Sequence, residues 1–323
     1  MKTFSLSRAA GGAALALALG LGLHSGAWAA QSITVSTAVG DVCGNGDAAN
    51  NGAWPCANSP DGNTVTITST GSTGAVWGGN SMIATGDATA SGNTVKVVGG
   101  VVTGPVSGAY AQTSSGNATA SGNTVLIDGG TISGGPIVGG HAYSGSTDAT
   151  ATGNTVTIQG SPTFTGVGSL IGGDADVNSN NTLNLHAAGL SVLTVNGFQN
   201  LNFFLPASLT TGSPMLVSAA ADLGANAVVR VSLEGATLHT GDSFVLLNNV
   251  TAGSLAAASA SGTVGGYQYT LEIDASNNLL LTIGALAPAA GNAAAVPTLG
   301  EYGLALLALL LGGLGFAAMR RKG

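Results

Sequence analysis

The chain has 323 residues, 53 of them Gly; 45 % are hydrophobic and only 7 % are charged, far below the usual quarter. The formal net charge is −7, and residues 30–299 hold 13 acidic residues against two basic ones, Lys96 and Arg230, a balance of −11. That balance argues against nucleic acid or an anionic membrane surface as a partner, and the positive mean hydropathy argues against charged, Pro-rich disorder.

Residues 1–29 read as a signal peptide. Lys2 and Arg8 give a positive start, Ala9 to Leu23 is apolar and uncharged, and Ala27-Trp28-Ala29 fits the small-x-small cleavage rule. There is no twin-Arg pair and no Cys at the cleavage site, so the general secretory route is expected, without lipidation. In an oxidising compartment the two cysteines, Cys43 and Cys56, are expected to pair. The loop they close, "CGNGDAANNGAWPC", is rich in turn residues. Closing it stabilises by about 3 kcal/mol in the chain-entropy model. Residues 30–60 therefore read as a disulfide-stapled N-terminal cap.

The next segment is periodic. "GNTVTI" starts at Gly62, "GNTVKV" at Gly92, "GNTVLI" at Gly122 and "GNTVTI" at Gly153, with a degenerate "NNTLNL" at Asn180. Two other elements keep phase: "AVWGG", "PVSGA", "PIVGG" and "SLIGG", and "DATASGN", "NATASGN" and "DATATGN". Self-similarity near 30 residues marks a repeat architecture. Within each unit apolar and polar residues alternate, as in Val65/Ile67 and Val95/Val97, which is the period of a strand with one buried face. One unit cannot bury its own apolar row, but stacked units can, with rungs about 4.8 Å apart. The fold class expected is all-β: a right-handed parallel β-solenoid of about 30-residue repeats over residues 61–206, about three strands to a unit. A β-sandwich of hairpins is the alternative. Stacking would place Asn63, Asn93, Asn123 and Asn154 in one column, where amides bond along the axis as in cross-β ladders.

These repeats resemble those of autotransporter passenger domains and related β-solenoid surface proteins, over about residues 60–205. The stretch "VNGFQNLNFFLP" looks like the segment that often follows such repeats. The translocator barrel of that family has no counterpart here, so another delivery route is expected. Residues 207–284 read as a β-rich capping region, through "AVVRVSL", "SFVLLNNV", "YQYTLEI" and "NLLLTI", that either continues the solenoid or closes it. Residues 285–295, "ALAPAAGNAAA", read as a linker.

The tail carries the clearest targeting pattern. Val296, Pro297, Thr298 and Leu299 precede Glu301, Tyr302 and Gly303; an apolar run then ends in Arg320, Arg321 and Lys322. Residues 303–319 read as a transmembrane helix, short for a hydrocarbon core of about 30 Å, and the basic triplet would stop transfer with the C-terminus in the cytoplasm. Pro297 disfavours helix at Val296, which leaves extended chain just outside the bilayer. The order of motif, span and basic end resembles the IPTL-CTERM sorting signal of Gram-negative bacteria. Val296 stands where that family has Ile, and Tyr302 where it usually has Trp. The resemblance, over residues 296–323, implies recognition and cleavage by an exosortase-type membrane transpeptidase.

Catalytic chemistry finds little support. His141, His186 and His239 have no partner at metal-ligand spacing, and no nucleophile elbow, HExxH or phosphate loop is present. Asp87 and Asp148 occupy equivalent repeat positions, too far apart to suggest a glycosidase pair. "GGDADVNSNN" and "CGNGDAANN" offer clustered oxygens to calcium, as a minor reading. Trp54, Trp77, Tyr110 and Tyr143 would line one face, a platform for a glycan or matrix partner. The reading is a non-enzymatic surface protein of structural or adhesive type, with no cofactor, held transiently in the inner membrane and then sorted to the surface or released. A glycan-active solenoid enzyme and a plain single-pass ectodomain are the alternatives.

Overall fold

A computed structural model describes residues 30–46, 56 and 59–288. The chain divides into two units, residues 1–285 and 286–323. The signal peptide, Trp54, most of the linker, the sorting motif and the transmembrane helix read from the sequence lie outside the described residues. Among the described residues the structure is β apart from one short 3-10 turn, Ala257–Ser259, and no helix is long and apolar enough to cross a membrane.

The first unit contains a parallel β-solenoid of about seven turns. Sheet A stacks eight strands: Ser32–Val35, Thr64–Ile67, Thr94–Val97, Thr124–Asp128, Thr155–Gln159, Thr182–Leu185, Asn200–Pro206 and Val228–Glu234. Sheet C stacks eight more, from Val42–Cys43 through Val76–Ile83, Val106–Thr113, Ile137–Ser144 and Ser169–Asp174 to Thr194–Asn196, Ala220–Asp222 and Val250–Ala252. Two four-stranded sheets complete the regular turns. Sheet B runs from Ser72–Thr73 to Thr163–Phe164, and sheet D from Ala88–Ser91 to Val177–Ser179. A regular turn thus has four strands rather than three. The additional one, such as Thr131–Ile132, is two residues long and too short to show a period.

Register is set by like-on-like stacking. Val65, Val95, Val125, Val156, Leu183, Leu201 and Val229 form one interior column, each fully or almost fully buried. A one-residue slip would turn the whole column outward. Between sheets C and D lies a second core made only of alanines, including Ala88, Ala90, Ala109, Ala118 and Ala120. Small side chains let the two sheets approach closely.

The Asn column is continuous and buried: Asn63, Asn93, Asn123, Asn154 and Asn181 are each 0 % exposed. The backbone N–H of Asn93 donates to Asn123 Oδ1 at 2.9 Å, and Asn93 Nδ2 donates to the same oxygen at 3.0 Å. Asn123 repeats this toward Asn154, and Asn154 toward Asn181. From Asn93 onward each Nδ2 also reaches a carbonyl in the preceding turn, as Asn123 Nδ2 does with Ala90 at 3.1 Å. Buried amides are tolerable only when paired in this way. The column opens with the N–H of Gln31 on Asn63 Oδ1 and closes with the N–H of Asn181 on Gln199 Oε1, both at 2.9 Å.

Two in-phase sequence elements serve this column. Gly62, Gly92, Gly122 and Gly153 precede the ladder residues at φ between 62° and 71°, and Asn180 takes that place at 55°. The glycine common to the four in-phase elements lies against the next rung and the ladder; a Cβ at Gly78, Gly108 or Gly139 would press on a backbone carbonyl and on a ladder Cβ.

The two ends of the stack differ from the sequence reading. Residues 30–43 are a first, incomplete turn, since Ser32–Val35 and Val42–Cys43 already pair in parallel with the next rung. The disulfide Cys43–Cys56 joins this turn to the segment that follows. Beyond residue 206 the parallel stack continues, because Asn200–Pro206 pairs in register with Val228–Glu234. Sheet E carries the change. Leu190–Ser191, Leu216–Val217 and Ser243–Leu247 stack in parallel, and Leu279–Leu286 then pairs antiparallel with the last of them. The hairpin of Ser261–Val264 and Tyr267–Ile273 completes the cap. The Ser259 hydroxyl accepts the N–H of Val229 at 2.9 Å, which covers part of the open edge of sheet A.

Candidate functional site

Outside the core, the chemistry-bearing side chains gather on two open sheet faces. On sheet C the residues two places after Gly78, Gly108, Gly139 and Gly172 fall in one column: Asn80, which is buried, then Tyr110, His141 and Asp174. His141 Nδ1 lies 2.7 Å from Asp174 Oδ2, and the Tyr110 ring stacks on His141 with centroids 4.6 Å apart and planes 9° from parallel. The hydrogen bond from His141 holds the Asp174 carboxyl below the usual carboxylate range, against its partial burial. Burial, helped by the charge of Asp174, pushes the Tyr110 phenol up. Its hydroxyl donates to Gln112 Oε1 at 2.7 Å.

Sheet A carries a second cluster of the same composition. His186 Nδ1 meets Glu234 Oε2 at 2.7 Å and the ring stacks on Phe204, with centroids 3.9 Å apart and planes 6° from parallel. His239 approaches Asp242 at 3.4 Å and is largely exposed. The His141–Asp174 pair was legible in principle, because aligning "PIVGGHAY" with "SLIGGDAD" sets one residue over the other. Glu234 lies 48 residues from His186, where the sequence no longer repeats, and nothing in the pattern links them.

The aromatic residues do not form the single row expected. Trp77, Tyr110 and Tyr143 share sheet C but stand in three columns: Trp77 pairs with Ser107, Tyr110 with His141, and Tyr143 with Gln112. The reason is the register step. Tyr110 and Tyr143 are 33 residues apart, whereas the rungs that carry them pair with a step of 31, as for Tyr110 and His141. Tyr143 is open at 53 % exposure, while Tyr110 is half-buried under His141.

The acidic residues do mostly structural work between rungs. Asp87 Oδ1 accepts the N–H of Asn117 at 2.8 Å, Asp41 Oδ1 that of Ala75 at 2.8 Å, and Asp176 Oδ2 that of Ala149 at 2.9 Å. Asp61 Oδ1 takes both the N–H and the hydroxyl of Ser91. The oxygens of residues 172–181 are dispersed: Asp174 faces His141, Asp176 bonds the backbone, and Asn181 belongs to the ladder. Of the other oxygen-rich stretch, residues 47–51 lie outside the described residues. Among the described residues no three His, Cys, Asp or Glu side chains are grouped as metal ligands would be. A shallow depression of about 450 Å³ on the cap is lined by Ser261, Thr263, Gln268, Tyr269 and Thr282, without histidine or carboxylate.

The sorting residues, Val296 to Leu299, Glu301, Tyr302 and Gly303, and the basic triplet Arg320, Arg321 and Lys322 lie outside the described residues, so their identification rests on sequence. No curated protein and no solved structure matches the chain. One family model does: residues 294–321 match the IPTL-CTERM motif, a C-terminal sorting motif of exported surface proteins.

Proposed function

We propose that this is an exported, non-enzymatic surface protein whose tail is recognised and cut by an exosortase-type membrane transpeptidase. The observation that carries the reading is the IPTL-CTERM match at residues 294–321. The signal peptide of residues 1–29 starts export. The apolar helix of residues 303–319 and the triplet Arg320–Lys322 then hold the precursor in the inner membrane, with the solenoid outside. Cleavage near Val296–Leu299 passes the solenoid on to the cell surface or the surrounding matrix, where its long β faces act as a structural or adhesive element. A non-enzymatic role is supported by the use of acids as rung-to-rung acceptors and by the position of both His–carboxylate pairs on open faces.

The test is the mass of the mature protein recovered from producing cells. The expected mass lacks residues 1–29 and everything after about Val296–Leu299. Recovery from the inner membrane with Arg320–Lys322 still attached would mean an ordinary anchor and defeat the sorting reading.

A further inference from the structure

The two basic residues of the 30–299 segment are 134 positions apart in sequence, yet they share one outward column of sheet A. Lys96 pairs with Leu126, Leu126 with Thr157, Thr157 with Asn184, Asn184 with Asn202, and Asn202 with Arg230. Five rung steps of about 4.8 Å separate the two cations by about 24 Å along the axis. Both are exposed, and among the described residues neither forms an ion pair within 4.0 Å.

The groups between them are hydroxyl, amide and methyl, not charge. Asn202 Nδ2 donates to Asn184 Oδ1 at 2.8 Å, and Asn184 Nδ2 to Thr157 Oγ1 at 3.1 Å, so this stretch is held in a fixed orientation before any ligand arrives. The neighbouring outward column is Thr at five successive rungs, from Thr64 to Thr182. Neither column contains a carboxylate. The nearest on this face are Asp128, two residues along from Leu126, and Glu234, which is engaged by His186. The other acids of this unit lie off these strands.

We propose that this strip of sheet A binds a linear uronic-acid polysaccharide lying along the solenoid axis. The inference deepens the adhesive reading above and rests on it. The groups between the cations select the ligand, since a nucleic acid and a polyuronate both carry one negative charge per unit. The two columns hold hydroxyls and amides and no aromatic side chain on which bases would stack, so they match a chain of hydroxyl-rich rings rather than a polynucleotide. Arg230 takes a carboxylate in a two-pronged bond and Lys96 takes another as a point charge. The Thr and Asn columns meet the ring hydroxyls, and Leu126 meets the apolar edge of a ring.

The test is affinity electrophoresis of the full-length chain in detergent, through gels carrying polygalacturonate, dextran or single-stranded DNA. Retardation by polygalacturonate alone is expected. It should weaken as salt rises from about 50 to 200 mM, and Lys96→Ala with Arg230→Ala should weaken it at least about tenfold. Lys96→Arg should restore binding lost in Lys96→Ala. Both residues are exposed, so an unchanged melting temperature checks the fold of each variant. Absence of retardation by polygalacturonate, equal retardation by dextran, stronger retardation by DNA, or full binding by the double variant each overturns the proposal. The mass of the mature protein reads sorting separately: correct processing without polysaccharide binding defeats this inference and leaves the sorting reading standing.

Discussion

The turns before Asn181 and the turns after it reach the same architecture by different means. The earlier turns are organised around a polar column in which every amide has a defined partner, so Asn, the residue of positive φ before it and the close-approach Gly opposite recur on schedule. The later turns dispense with sheet D and with the amides. Phe198, Leu201, Phe203, Leu205, Met215 and Leu216 fill the interior instead. A directional network demands identity at each position, whereas an apolar core demands volume. This is why the first half repeats visibly in sequence and the second does not.

The contrast can be broken at its strongest point. Asn123→Ala leaves the buried N–H of Asn93 and the carbonyl of Ala90 without their partner, at about 1–3 kcal/mol for each stranded group. A loss of about 3–5 kcal/mol in denaturant unfolding is expected; less than 1 kcal/mol would show that the ladder is dispensable. Leu201→Ala should cost about 2–5 kcal/mol, but Leu201→Met less than about 1.5, since volume is nearly kept. Asn123→Asp keeps the volume too, yet removes the Nδ2 donor and buries a charge, so it should remain about as damaging as Asn123→Ala. Equal tolerance at the two sites would erase the distinction. Gln199→Ala, at the junction of the two regions, strands only the N–H of Asn181 and should cost about 1–2 kcal/mol.

The smallest effect is expected on the surface. The folded Asp174 carboxyl titrates below its ordinary value of about 3.9, so its pairing with His141 adds stability above that value and loses it as pH falls through the lower, folded one. Both side chains are well exposed, at 29 % and 51 %, so Asp174→Asn should cost well under about 1 kcal/mol near neutrality. The difference from the parent chain should vanish in acid. A difference that grew below pH 4 would contradict the hydrogen-bonded pairing.

Much of this was legible in the repeats. The alternation of Val65 with Ile67 and its successors specifies strands with one buried face, the repeat near 30 residues points to a stack, and the spacing of the Asn residues specifies which of them meet. What stayed hidden follows from the same physics. Gln199 closes the ladder 18 residues after Asn181 rather than 30, because a turn without sheet D is shorter. The continuation past residue 206 was ambiguous because Leu, Phe and Val satisfy a core without a period. Lys96 and Arg230 look unrelated until register places them in one column.

The ladder also has a direction. From Gln31 to Gln199 every main-chain amide in it donates forward, and every side-chain oxygen accepts from the turn before. A chain made from its N-terminus therefore finishes each turn with its donors waiting, and the next turn to arrive supplies the oxygen they lack. The column ends on a glutamine, Gln199, whose Oε1 takes the last waiting N–H, that of Asn181.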